Sequence, residues 1–110
     1  MKTAIESIHF NLDTKLKNLI LEKTSSLTKI FEAIESCKVI LELKNDDKNQ
    51  NKVVEISISV PQDRLFSKNK SETFEMALEL AVNELKQQLK KYKAKKIKSD
   101  EYATALEMLE

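Results

Sequence analysis

Seven lysines fall between residues 86 and 98, at Lys86, Lys90, Lys91, Lys93, Lys95, Lys96 and Lys98, with no acid among them. On a helix advancing about 100° per residue, Lys86, Lys90 and Lys93 share one flank of an apolar stripe, and Lys91 and Lys95 share the other. Lys96 returns to the direction of the stripe itself, as happens where a helix outruns the sheet it packs on. No acid stands three or four residues away within the run, so the charges do not quench one another as helical ion pairs do. The chemistry such a cluster suits is neutralisation of phosphates, an electrostatic attraction that weakens as salt rises. A plainer reading exists: lysines near a helix end complement the macrodipole and keep a surface soluble. The density of unpaired charge favours phosphate. Base-specific reading is not expected, because Arg64 is the only arginine and bidentate base contacts favour Arg, Asn or Gln.

The other reactive residue types point to no chemistry. His9 stands beside Phe10 without a serine, acid or metal-ligand spacing around it, and reads as a structural histidine. Cys37, the only cysteine, reads as a small half-buried residue at a strand start rather than a nucleophile. One Cys and one His cannot form a structural zinc cluster. Asp46 and Asp47 lie in a polar stretch where carboxylates are simply solvated. Phe66, Phe74, Tyr92 and Met76 fit strand or helix spacing, so they read as core or edge residues rather than base-stacking platforms. The sequence has no glycine, which excludes the Gly-rich phosphate loops of nucleotide-binding folds. It also leaves any left-handed turn position to Asn or Asp. No enzyme, cofactor, metal or small-molecule substrate is expected.

Elements able to position the lysines follow from periodicity. Ile5, Ile8 and Phe10 suggest a first strand, with a bulge near Ser7 if all three face one core. Asp13 or Thr14 can cap a helix of about 17 residues whose stripe is Leu16, Leu19, Ile20, Leu27, Ile30 and Phe31, interrupted by polar Lys23 and Thr24. Cys37 to Leu43 alternates as a strand, and Asn45 to Lys52 reads as an exposed hairpin loop. Val54, Ile56, Ile58 and Val60 alternate with Glu55, Ser57 and Ser59, so one face is buried and the other wet. Pro61 to Asp63 ends that strand, Arg64 to Lys68 suits a short edge strand, and Ser71 can cap the next helix. That helix carries Phe74, Ala77, Leu78, Ala81, Val82, Leu85, Leu89 and Tyr92 as its stripe and extends to about Lys96. The order β-α-β-β-β-α predicts an α+β fold, a four-stranded mixed sheet with two helices packed on one face.

At 110 residues the chain is one domain. Its net charge of +1 conceals segregation: residues 1–85 carry −2, residues 86–98 carry +7 and residues 99–110 carry −4. Such asymmetry suggests a polyanion surface followed by an acidic tail. The expected division is a domain over 1–98 and a tail over 99–110, the tail being disordered or marginally helical. No apolar run approaches the length of a membrane span and no signal-peptide layout opens the chain, so no membrane partner and a cytoplasmic location are expected.

The segments IHFNLDTKLKNLILEKTSSLTKIF at Ile8 to Phe31, VVEISISVP, DRLFSKNKSETFEMALELAVNELKQQLKKYKAKK and above all QLKKYK at Gln88 to Lys93 resemble the ribosome hibernation-promoting factors, also called ribosome-associated inhibitor A or sigma-54 modulation proteins. The likeness spans roughly residues 1–96. It implies two parallel helices on one side of a four-stranded sheet, akin to double-stranded RNA-binding domains. It also implies binding to rRNA of the small ribosomal subunit in the decoding channel, where the protein would occlude mRNA and tRNA during starvation or stationary phase. The rRNA-binding positions it implies are Lys86, Lys90, Lys91 and Lys93 on the second helix and Lys23 and Lys29 on the first, with Lys95 and Lys96 extending the patch. Ser26 and Gln87 stand where relatives often carry basic residues, which thins the phosphate footprint. The resemblance is to the short form, which would be a monomer when free. A reading of another class is a protein-interaction module whose basic helix engages an acidic partner.

Overall fold

The computed structural model describes the backbone of residues 1–44 and 51–109 and the side chains of residues 1–44 and 51–95. In chain order the elements are β1 (Lys2–Ile8), α1 (Thr14–Ser25), a 3-10 turn (Ser26–Lys29), β2 (Ser36–Leu43), β3 (Lys52–Val60), β4 (Asp63–Ser71) and α2 (Phe74–Leu109). The four strands lie in the order β1-β2-β3-β4, with β1 parallel to β2 and the other neighbours antiparallel. This is the predicted α+β arrangement. The residues 45–50 of the expected β2–β3 loop and the carboxylates of Asp46 and Asp47 lie outside the described residues. The strands on either side close on each other, Lys44 donating its N–H to the Asn51 carbonyl at 2.9 Å.

Strand alternation builds a single core. Cys37, Val39 and Leu41 on β2 and Val54, Ile56, Ile58 and Val60 on β3 face the helices and are buried. Ile20 and Leu27 from the first helical segment and Ala77, Leu78, Ala81, Val82, Leu85 and Leu89 from α2 close over them, all fully or almost fully buried. Each such valine, leucine or isoleucine contributes about 1.5–3 kcal/mol by leaving water. Glu55, Ser57 and Ser59 fall on the opposite, uncovered face, as their alternation predicts.

Several local expectations are corrected. Pairing of β1 with β2 runs without interruption from Lys2↔Ser36 to Ile8↔Glu42, so there is no bulge. Ile8 therefore sits on the uncovered face, and His9, at φ 67°, turns the chain so that Phe10 reaches the core side and stacks on Phe74 at 4.5 Å between ring centroids. Left-handed positions in the described residues fall on His9 and Gln62 (φ 67°) rather than on Asn or Asp. Gln62 follows Pro61 in the two-residue turn between Val60 and Asp63, where proline fixes the first φ and the second residue takes the positive one.

The first helix is shorter than expected because its hydroxyls compete for the backbone. Asp13 caps it, its carboxylate accepting the Leu16 N–H at 2.7 Å. From Thr24 onward, hydroxyls donate to carbonyls three or four residues back: Thr24 to Ile20 at 2.8 Å, Ser25 to Glu22 at 2.7 Å, Ser26 to Lys23 at 2.6 Å and Thr28 to Ser25 at 2.6 Å. Such back-bonding bends and tightens a helix, and here α1 passes into the 3-10 turn. Thr24 is fully buried with its hydroxyl satisfied, so it continues the stripe instead of interrupting it.

β4 reaches Ser71, which is buried at the strand end and caps nothing. The cap of α2 is Thr73, whose hydroxyl accepts the Met76 N–H at 3.1 Å. Met76, expected in the core or at an edge, is 54 % exposed on α2. α2 itself continues to Leu109, so the segment expected to be disordered or marginal is helical. A helix already nucleated on the sheet extends at the cost of propagation alone, which a free peptide of this length does not enjoy.

Candidate nucleic-acid interface

The two helices run parallel, because Phe10, just before α1, meets Phe74 at the start of α2, and Phe31, beyond the end of α1, meets Tyr92 edge to face at 5.3 Å. The same geometry splits the lysine cluster. On the β4 side of α2, Glu84 accepts the Ser67 hydroxyl at 2.6 Å, and the Gln88 amide spans the Phe66 backbone, donating to its carbonyl at 2.8 Å and accepting its N–H at 3.4 Å. On the α1 side, Lys93 Nζ donates to the Ile30 carbonyl at 3.4 Å, immediately after the 3-10 turn that holds Lys29. Lys90 and Lys86 lie one and two turns before Lys93 on that flank.

The structure therefore places Lys93 beside the turn that holds Lys29, with Lys90 and Lys86 on the same flank of α2. Lys90, Lys93 and Lys29 are exposed and Lys86 is half-buried. Lys23 is half-buried in the last turn of α1. Lys91 and Lys95 are exposed on the other flank, towards β4, and do not join that group. The backbone of Lys96 continues α2, and its side chain lies outside the described residues. Ser26, on the 3-10 turn, turns its hydroxyl back to Lys23 and presents no charge.

Tyr92 fixes the height at which the basic segment leaves the sheet. Its hydroxyl donates to the Pro61 carbonyl at 2.7 Å, tying α2 to the β3–β4 turn, while its ring meets Phe31. Beyond this point the backbone of α2 continues as helix to Leu109.

The remaining candidates carry no reaction chemistry. Cys37 is buried rather than half-buried, and desolvation pushes its thiol up to about 11, away from the reactive thiolate. His9 is exposed and serves the turn described above. Among the described residues no group of His, Cys, Asp and Glu could hold a metal ion, and no helix is long and apolar enough to cross a membrane.

Phe66 was expected as a core or edge residue. It is on the edge strand, yet its ring is 48 % exposed on the uncovered sheet face. Around it the sheet gathers Lys38 and Arg64, which the sequence reading left unassigned. The signal was present in the alternation: the register that turns Cys37 and Leu65 towards the core must turn Lys38 and Arg64 outward.

A basic flank on the second of two parallel helices, over a four-stranded sheet in the order β-α-β-β-β-α, defines a small α+β protein. The sigma 54 modulation protein / S30EA ribosomal protein family matches residues 3–97, and the chain belongs to that ribosome-associated family. Among solved structures, the N-terminal domain of Protein Y from Thermus thermophilus is similar with a TM-score of 0.72 and 17 % identity, over 84 % of this chain and 99 % of that one. A ribosomal subunit interface protein from Coxiella burnetii has the same TM-score of 0.72 at 22 % identity, over 86 % of this chain and 99 % of that one. No curated protein sequence matches significantly.

Proposed function

We propose that this protein is a non-enzymatic, cytoplasmic hibernation factor that binds rRNA of the small ribosomal subunit in the decoding channel and silences translation by occluding mRNA and tRNA. Membership of a ribosome-associated family supports the ribosome as partner, and the likeness to a subunit interface protein supports a position between the subunits. The observation that carries the reading is the placement of Lys86, Lys90 and Lys93 on the α2 flank that meets the 3-10 turn bearing Lys29. Lys23 lines the same side, and Lys91, Lys95 and Lys96 widen the positive field. The folded body of 1–98 acts as the plug, and the 99–110 segment is an acidic appendage to it. The free protein is a monomer, and starvation or stationary phase is when it acts.

Sedimentation tests this reading. The protein should co-migrate with small subunits at low salt and leave them as salt rises, and Lys86/Lys90/Lys93→Glu should abolish co-migration while keeping the native helical spectrum. Unchanged co-migration of that variant would remove the proposed site. The reading as a protein-interaction module predicts instead a salt-sensitive self-association or capture of an acidic protein in the absence of RNA.

A further inference from the structure

The sheet face turned away from the helices has its own order. Strand register places Lys2, Ser36, Ser59 and Arg64 in one row across all four strands, and Ala4, Lys38, Ser57 and Phe66 in the next. Lys2, Ser36, Lys38, Ser57, Ser59 and Arg64 line an open hollow there. Its floor is small side chains and hydroxyls, its rim is cationic, and the exposed ring of Phe66 stands at the β4 side. The acids of this face lie outside its lining: Glu6 and Glu55 fall in the third row, next to that of Lys38 and Phe66, and Glu42 in the fourth. Two carboxylates border the hollow: Glu35 accepts the Ser59 hydroxyl at 3.4 Å, and Asp63 accepts the Arg64 N–H at 2.8 Å. The lining of the hollow itself holds three cations, Lys2, Lys38 and Arg64, and no acid among the described residues.

We infer that this face is a second RNA-binding surface, taking a short single-stranded RNA segment with phosphates in the hollow and one base stacked on Phe66. Charge complementarity selects a polyanion. Lys2 and Arg64 stand three strand spacings apart, about 14 Å, with Lys38 between them, so they reach successive phosphates rather than a single ion. Serine hydroxyls donate well to phosphate oxygens, and the floor has no apolar socket for the side chains of an acidic peptide. The aromatic ring decides between the two: every base offers a π-face to a flat, half-exposed ring, and such stacking is tolerant of sequence. The strand must be single, because a paired base cannot reach the ring. The proposal takes from the preceding section only that RNA is within reach. It assigns to the sheet a role distinct from the helical flank, holding a flexible strand while the helices hold the structured surface.

The test uses the full chain carrying Lys86/Lys90/Lys93→Glu, so that the helical flank cannot retain the probe, and a six-residue oligouridylate as that probe. Backbone amide shifts should move at Lys38, Ser57, Ser59 and Phe66. Phe66→Leu, which keeps apolar bulk and removes the ring, should weaken binding about tenfold. Lys38→Gln with Arg64→Gln should lower the slope of log affinity against log salt by about 1.4. Shifts confined to the helices, an absence of binding, or unchanged affinity in Phe66→Leu would each overturn the proposal. So would a glutamate hexapeptide that moves the same amides at equal or lower concentration. If Lys86/Lys90/Lys93→Glu leaves the subunits while the oligonucleotide moves no sheet amide, the sheet proposal alone fails. If that variant stays on the subunits while the sheet amides move, the helical reading alone fails.

Discussion

Replacing Lys86, Lys90 and Lys93 together with glutamine separates phosphate contact from general electrostatics. The three ammoniums share one flank of α2 and spread over about 10 Å of helix axis, so each can engage its own phosphate. Every neutralised phosphate releases condensed counterions and adds about 0.7–0.9 to the slope of log affinity against log salt. Loss of three contacts should therefore flatten that slope by about 2.1–2.7. Between about 50 and 200 mM salt this makes the parent lose roughly 30-fold more affinity than the variant. Equilibrium binding to purified small subunits across that range is the assay. Lys90 and Lys93 are exposed, and the Lys93 bond to Ile30 is a long surface contact at 3.4 Å, so the variant should keep the stability of the parent. Lys91→Gln with Lys95→Gln, on the opposite flank, provides the comparison and should flatten the slope less. A slope unchanged in the triple variant, or changed equally by the double variant, would refute the assignment of the contact to that flank.

Three further outcomes follow from the fold. Leu85→Ala empties a fully buried position between α2 and the sheet and should cost about 2–5 kcal/mol in urea unfolding, with rRNA affinity per folded molecule retained. Gln88→Ala uncovers the Phe66 N–H and C=O on the edge strand, and hydrogen exchange should quicken at that amide while global stability falls by about 1 kcal/mol. Cys37 should resist iodoacetamide at pH 8, since burial raises its thiol from 9.0 to about 11. Because the folded thiol titrates above the unfolded one, the associated stability is fully present below pH 9 and is lost as pH rises through about 11. Rapid alkylation of the native protein at pH 8 would contradict this.

What the sequence reveals here depends on range. Every stripe residue of α2 from Ala77 to Leu89 is buried as spacing predicts, and the alternation of β3 assigns both of its faces, because these patterns report contact with one large core. Periodicity also separates the two lysine flanks before any coordinates are known. It cannot tell which flank meets the first helix: that depends on the Lys93–Ile30 contact, between residues far apart in sequence. Short-range errors have local causes. The bulge near Ser7 was needed only if Ile5, Ile8 and Phe10 all faced one core; Ile8 faces away, and the left-handed φ of His9 returns Phe10 to the core side. Ser71 has the composition of a cap but lies in ladder register opposite Lys52, so the pairing of β3 with β4 outweighs a capping preference and Thr73 takes the role. The 3-10 ending of the first helix arises from four hydroxyl back-bonds, each visible as a residue type yet decisive only in combination.

The division between what holds the fold and what meets a partner has a physical basis. The core draws on aliphatic side chains of β2, β3 and the inner stripe of α2, and the described lysines proposed to bind RNA are exposed or half-buried at its margins. Charge can therefore be concentrated without desolvating it. The cost of concentration is self-repulsion along α2, which an isolated helix of this composition would meet by fraying. Here Tyr92 is fixed at two points, to the Pro61 carbonyl and to the Phe31 ring, just where the lysines become densest. Removing that anchor should release the end of the helix before it disturbs the core. In Tyr92→Phe the hydroxyl bond is lost and the ring contact kept, so global stability should fall by about 1 kcal/mol while amide exchange rises first from Lys93 onward. Exchange that rises uniformly through α2 would mean that the basic segment and the core open as one unit, and that the anchor does not separate them.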